Sequence, residues 1–369
     1  GYYRDTIKPW REVVIRVKGV PFNMEYFVEY FARVLDANTK NKNMNSTMVY
    51  SYANYIDDYI DDEIIDGELL RQGAKSLNIT VTAGEIDAKL KEYGWPNDRV
   101  SRDIVGAALS QQKLQEYFSY GLNATMEQAR VEVMLVESQE VATELIAEVE
   151  AGGNFTALVE EFSCNSTIEG DLGWLPREFM PNTLIADAAF NLTLGEISQP
   201  IYDKTAIKNI GYWLIEVTDK QDDKISALVM LLGSEAEAEW VKAQLTAGGN
   251  FSALAGNYSQ HASKTQGGKL DGLKRGDMRS NAFDAVAFNL TVNQVSGPVE
   301  DTSVRTTGGY WLVKVIDRGE RELEEAIRQE LIDKHFNDWF EAWKKNSTIE
   351  NLLDASKLSW AVTKVLQGR

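Results

Sequence analysis

Two histidines and one cysteine are all that this 369-residue chain offers for imidazole or thiol chemistry. His261 lies in a polar stretch among Gln, Ser and Lys, and His335 lies in a charged segment far downstream. A protein zinc site draws on three or four His, Cys or carboxylate ligands, so a His-rich or Cys-based metal site is excluded by count. A Ser-His-Asp triad has equally little to draw on. Cys164 stands alone, so no disulfide forms within the chain. The acidic run Asp57–Asp66 is interleaved with Tyr59, Ile60, Ile64 and Ile65 and lacks the glycine-bearing spacing of a calcium loop; it reads as a solvated helix face. No metal or cofactor is expected. What remains is aromatic: Trp213 and Trp311, each closing a Tyr-Trp pair. Either they form an aromatic floor for a ligand, or they pack in strands, which aromatics favour.

Those tryptophans end two copies of one long repeat. Val133–Val217 reads again as Val229–Val315: AGGNF at 151–155 and 247–251, AAFNLT at 188–193 against VAFNLT at 286–291, IGYWLIEV at 210–217 against GGYWLVKV at 308–315. The offset is 96 up to Ser163/Ser259 and 98 from Leu172/Leu270 onward, so the second copy gains two residues in the polar stretch between Ser259 and Leu270. A surface loop tolerates such a change. A repeat this long is a domain, not a solenoid unit. The net charge of −18 argues against a nucleic-acid partner, which needs clustered Lys and Arg.

The elements around the repeats follow from periodicity and caps. Glu12–Lys18 alternates and is β-branched, a strand. Gly19 and Pro21 turn the chain, and Asn23 caps a helix whose apolar stripe includes Tyr26, Phe27, Tyr30, Phe31 and Val34. One helix is expected over Met48–Ser76. A capping box at Thr82–Glu85 opens a short helix ending near Tyr93-Gly94, and another helix runs from about Asp98 to Gly121. Each repeat reads strand, helix, short helix, loop, short helix, strand: Val131–Val136, Glu140–Ala151, Phe155–Phe162, Ser163–Pro181, Thr183–Phe190 and Tyr212–Val217 in the first copy. The tail Glu320–Lys345 is an amphipathic helix whose stripe of Ile327, Leu331, Phe336, Trp339, Phe340 and Trp343 must dock elsewhere, and the N-terminal helical region is its expected dock. Ser356–Val365 adds a strand or a short helix. The frequent Asn-x-Ser/Thr sequons, two pairs of which are repeat copies, read as helix and turn residues and not as glycosylation sites. No run is long and apolar enough for a membrane helix. The chain opens Gly-Tyr-Tyr-Arg, and a removed signal peptide or an anchor before Gly1 is expected.

These motifs resemble the parvulin family of peptidyl-prolyl cis-trans isomerases. The first copy carries AGGNF, EEFSCN, EGDLGW (169–174), Met180, DAAF (187–190), GEISQP (195–200) and IGYWLI; the second carries AGGNF, GNYSQH, QGGKLDGL, Met278, DAVAF (284–288) and NQVSGP (293–298). The flanking strand-turn-helix, the LNITVTAGEIDAKL segment and the aromatic C-terminal helix resemble extracytoplasmic parvulin foldases of the SurA and PrsA type. The resemblance implies an α+β fold. A mostly helical N-terminal chaperone-like domain (1–127) is completed by a C-terminal helix (319–369). Between them lie two tandem parvulin-like domains (128–222 and 223–318), each a small antiparallel sheet flanked by helices. It also implies a proline pocket. Met180 and Met278 match its methionine, Leu172 and Leu270 the leucine of GDLG, and Phe283 its phenylalanine, with Ile185 in the first copy. The family's two histidine positions fall on Val133 and Trp213, and on Val229 and Trp311. Its Cys/Asp position falls on Asn165 and His261, or one residue earlier on Cys164. Neither copy therefore carries the family's polar cluster, and the Met, Leu and Phe positions either hold a proline or simply pack the core.

Rotation about an Xaa-Pro bond meets a barrier of about 18–20 kcal/mol from amide resonance. An apolar pocket that holds the proline and desolvates the amide would lower it without metal or covalent chemistry. Two functions are expected: an extracytoplasmic chaperone or foldase that binds unfolded or extended polypeptide, and, as the alternative, an active isomerase working through its apolar pocket. A third is docking to one dedicated partner.

Overall fold

The computed structural model describes residues 8–39 and 44–368, and the chain divides into two bodies, Gly1–Ala124 with Leu323–Arg369, and Thr125–Glu322. The opening Gly-Tyr-Tyr-Arg lies outside the described residues. The fold is α+β, as the resemblance implied.

In the first body, α1 (Lys8–Arg11) precedes a hairpin of β1 (Val13–Val17) and β2 (Val20–Asn23), turned by Lys18 and Gly19 at positive φ. Pro21, expected in the turn, lies inside β2 instead; β2 is the sheet's edge, where a missing N–H is tolerated. The Asn23 side chain accepts from Tyr26 N at 3.0 Å and starts α2 (Met24–Thr39), which buries Phe27, Phe31 and Leu35 completely.

The single helix expected over Met48–Ser76 is two, α3 (Ser46–Ile56) and α4 (Ile60–Ser76). An unbroken helix would set Asp57 over Asp61 and Asp58 over Asp62, like-charge pairs that destabilise it. The break places Asp61 and Asp62, with Glu63, in the first turn of α4, where they complement the helix dipole. Helix α5 (Ala83–Tyr93) has the full Thr82–Glu85 capping box and stops at left-handed Gly94, while Asp98 caps α6 (Arg99–Tyr120). A polar knot ties α2, α4 and α6: Tyr26 donates to Asp103 Oδ2 at 2.9 Å, and Arg71 donates to the Asp103 carbonyl at 2.7 Å and pairs with Glu68.

The second body runs β3 (Thr125–Val136), α7 (Gln139–Glu150), α8 (Phe155–Phe162), β4 (Gly170–Pro176), α9 (Thr183–Asn191), β5 (Ile201–Lys208) and β6 (Gly211–Gln221). The series then recurs as β7 (Lys224–Leu232), α10 (Glu235–Thr246), α11 (Phe251–Tyr258), β8 (Lys269–Leu273), α12 (Asn281–Ala287), β9 (Val299–Asp301) and β10 (Thr306–Glu322). The asparagine of each AGGNF motif is a helix cap: Asn154 accepts from Ala157 N and Asn250 from Ala253 N. Strands β4, β5, β8 and β9 were not expected: the reading placed a loop over Ser163–Pro181 and its copy, and no element between Phe190 and Tyr212 or its copy. All four are sheet edges, and GDLGWLP and IYDKTAIK carry glycines and charges in place of alternation.

The two sheets are ordered β4-β3-β10-β5 and β8-β7-β6-β9. Each therefore takes its central closing strand from the other repeat. β10 lies antiparallel to β3, with Tyr310 opposite Val136 and Glu322 opposite Thr125, and β6 lies antiparallel to β7, with Tyr212 opposite Leu232. The expected segments 128–222 and 223–318 delimit the repeats in sequence but not the sheets. We call the β3 sheet with α7–α9 the first lobe and the β7 sheet with α10–α12 the second. In the first lobe α7 and α8 cover the face bearing Met134, Val136 and Leu312, and α9 covers the face bearing Val131, Val133, Trp311 and Val313.

The tail closes the first body through α13 (Glu325–Lys345), β11 (Ile349–Asn351) and α14 (Ala355–Gln367). β11 extends the β1 sheet, and Glu320–Glu322, expected as helix, continue β10 instead. Phe336, Trp339 and Phe340 pack with Leu70, Leu114 and Phe118, and Trp343 Nε1 donates to the Leu69 carbonyl at 3.1 Å. The tail stripe thus docks where expected, and the Ser356–Val365 segment is helix. Among the described residues no helix is long and apolar enough to cross a membrane.

Candidate functional site

The exchanged strands regroup the residues that the repeats seemed to pair. In the first lobe Leu172, Met180 and Ile185 pack with Trp311, not with Trp213. In the second, Leu270, Met278 and Phe283 pack with Trp213, not with Trp311. Each cluster is built by one repeat and completed by the tryptophan of the other.

Both indoles are almost fully buried, Trp213 at 2% and Trp311 at 1% exposure. A buried indole N–H needs an acceptor. Trp311 Nε1 donates to Asp203 Oδ2 at 3.0 Å, and Trp213 Nε1 donates to Asp301 Oδ2 at 2.8 Å. Thr205 N and Oγ1 donate to Asp203 Oδ1, and Ser303 N and Oγ donate to Asp301 Oδ1. Ser280 adds a hydroxyl to Asp301 and accepts from Phe283 N as the cap of α12. Burial alone would raise both carboxyl pKa values. The donated hydrogen bonds outweigh it and hold both below the usual range. Asp203 and Asp301 were missed by the sequence reading, although Asp-x-Thr and Asp-x-Ser stand in repeat register at 203–205 and 301–303.

The remaining positions divide between packing and loop support. Val133 and Val229 are wholly buried in the same clusters as the tryptophans. Asn165 is spent on its loop: Nδ2 donates to the Ile207 carbonyl, and Oδ1 accepts from Thr167 N and Ile168 N. His261 stands edge-on to Trp213, with centroids 5.4 Å apart, and Phe283 meets the same indole at 5.3 Å. Ser263 N donates to His261 Nδ1 at 3.2 Å, which places the neutral ring's proton on Nε2. Burial lowers its pKa. Burial likewise pushes the Cys164 thiol up to about 11, away from nucleophilic use. His335 lies on α13 in the other body. Asp171 accepts from Gly173 N at 2.9 Å and pairs with Arg130, so it sets the GDLG turn.

Beside Trp311 a cavity of about 410 Å³ opens, lined by Asn165, Asn182, Asp203, Thr205, Arg305 and the indole among others. Its walls mix Asn, Ser and Thr side chains with the apolar surfaces of Ile168, Pro181, Ala206 and Ile207. No group of three or more His, Cys, Asp or Glu among the described residues is placed to hold a metal ion.

A family model for the PPIC-type PPIase (rotamase) domain matches residues 126–219 and 231–317. These two segments belong to the parvulin family. Each parvulin match follows the sequence and so includes its own closing strand, although that strand lies in the other parvulin lobe. Similar curated proteins are a "Chaperone SurA" of Dechloromonas aromatica and a "Foldase protein PrsA 3" of Bacillus anthracis. The first is 29% identical over 55% of this chain and 50% of the relative; the second is 32% identical over 38% and 49%. The chain thus spans about half the length of these parvulin relatives. Among solved structures, PrsA from Bacillus subtilis aligns over 97% of this chain and 93% of that one at 16% identity, with a TM-score of 0.23.

Proposed function

We propose that this protein is an extracytoplasmic folding factor that holds unfolded or extended polypeptide, with parvulin lobes that have lost the family's catalytic polar cluster. The observation that carries this reading is the locked state of the two closing-strand tryptophans. At each closing-strand position where the family places a histidine, an indole is buried and its only donor is spent on a carboxylate. The other histidine position is a buried valine in each lobe. Proton or hydrogen-bond chemistry at a prolyl amide has no imidazole pair to use. The similarity to chaperones and foldases supports the client-holding role, and their kind supports a place outside the cytoplasm, with an anchor before Gly1 as the finer proposal. Suppression of aggregation of a chemically denatured client tests it; no suppression at severalfold molar excess defeats it.

The isomerase reading rests on Met278, which is only partly buried beside Trp213 and Phe283. Phe283 itself is wholly buried and not open to a prolyl ring. A protease-coupled Xaa-Pro assay decides: a rate above the uncatalysed one that falls on Met278→Ala would establish the isomerase and overturn the inactive-site reading.

A further inference from the structure

We infer that the two parvulin lobes are a single obligate folding unit, interlocked by the reciprocal exchange of β6 and β10, so that loosening one lobe loosens the other to the same extent. The exchange places the centre of each sheet in the keeping of the other repeat. β6 lies between β7 and β9, and β10 lies between β3 and β5. Neither lobe has a complete core without the closing strand it borrows: Trp311, Val313 and Val315 belong to the first lobe's cluster, and Trp213, Ile215 and Val217 to the second's.

The crossings themselves are pinned, and Lys208 and Thr306 on them are buried. Lys208, 1% exposed, donates from Nζ to the carbonyls of Glu137 and Gly233, one in each lobe. Asn209 N donates to the Cys164 carbonyl at 2.8 Å, and Thr306 Oγ1 donates to the Ile210 carbonyl. On the return crossing Thr307 N donates to Gln260 Oε1 at 2.7 Å, and Gln260 Nε2 donates back to the Thr307 carbonyl at 3.0 Å. Gly211 leaves no room for a side chain: a Cβ there would lie 2.7 Å from Leu231 and 2.9 Å from Thr306. A strand held in this way leaves its host sheet only when that sheet opens. Because each repeat is host and guest at once, opening one core withdraws its guest strand's support and strains the other.

Two measurements on the full chain test this, both in a Cys164→Ser background. A protease site is placed in the Asp222-Asp223 turn between β6 and β7, so that cleavage separates the repeats in sequence but not in the sheets. Glu132 faces Lys314 across β3 and β10, and Glu216 is the residue that would face Glu132 if each repeat kept its own strand. After oxidation and cleavage, Glu132→Cys/Lys314→Cys should hold the two halves in one non-reducing band, while the thiols of Glu132→Cys/Glu216→Cys should stay titratable; the reverse pattern overturns the interlock. The second measurement is native-state hydrogen exchange with Leu145→Ala, a core change on α7 in the first lobe. Amides of β7 in the second lobe should speed up by the same factor as those of β3, at least tenfold. Acceleration confined to the first lobe overturns the coupling. Should Leu145→Ala not fold, Ile146→Val makes the same comparison with a smaller factor.

Discussion

Replacing Trp213 with Phe probes the locked indole directly. The ring stays apolar and close in shape, but the N–H that Asp301 accepts at 2.8 Å disappears. A hydrogen bond to a charged partner contributes about 1.5–3 kcal/mol. The missing pyrrole leaves a void of roughly 40 Å³, worth about 1 kcal/mol at the usual cost per volume. The expected loss is therefore about 3 kcal/mol. With a denaturant slope of about 2 kcal/mol per molar for a body of this size, the urea midpoint should fall by about 1.5 M. The pH dependence carries the sharper test. Asp301 has its folded pKa held below the usual carboxylate value, so its contribution is fully present above the unfolded value and is lost as pH falls through the folded one. Without the indole donor that depression shrinks. The deficit of Trp213→Phe should be largest near about pH 6.5 and narrow toward about pH 3. A deficit under about 1 kcal/mol, or one unchanged across that range, would refute the idea that the carboxylate–indole bond anchors the strand.

Three further outcomes are expected. Asn154→Ala and Asn250→Ala should each cost about 1 kcal/mol in urea unfolding, as lost helix caps do. Gly73→Ala, which in an open helix would stabilise, should instead destabilise by about 1–3 kcal/mol and speed proteolysis of α13, because its Cβ would lie 2.6 Å from the Trp339 ring. The His261 ring should titrate below about 6.5 by NMR, its stabilising contribution lost as pH falls through that lowered value; Gln at 261 should flatten stability over about pH 5–7.

Local chemistry made much of this fold readable. The Asn23 cap, the Thr82–Glu85 box, the Gly94 stop and the three helices of each repeat depend on residues within a few positions of one another. The parvulin skeleton was legible for the same reason, since its motifs are turns and caps. The edge strands were not, because half-exposed segments such as IYDKTAIK carry no periodic signal. The break between α3 and α4 lay in charge repulsion that an apolar pattern does not register. The strand exchange was invisible in principle: GYWLIEV and GYWLVKV fit either sheet equally well, and only the path of the chain tells them apart. The residues read together within each repeat therefore pack across the repeats instead.

The bond between Trp213 and Asp301, and its counterpart between Trp311 and Asp203, also bears on how such a gene can change. A mutation in one copy is judged against residues inherited through the other, so the duplicated halves cannot drift apart as spare parts usually do. Deleting one copy would remove the sheet that the remaining closing strand now completes, and that strand would have to turn back onto its own repeat.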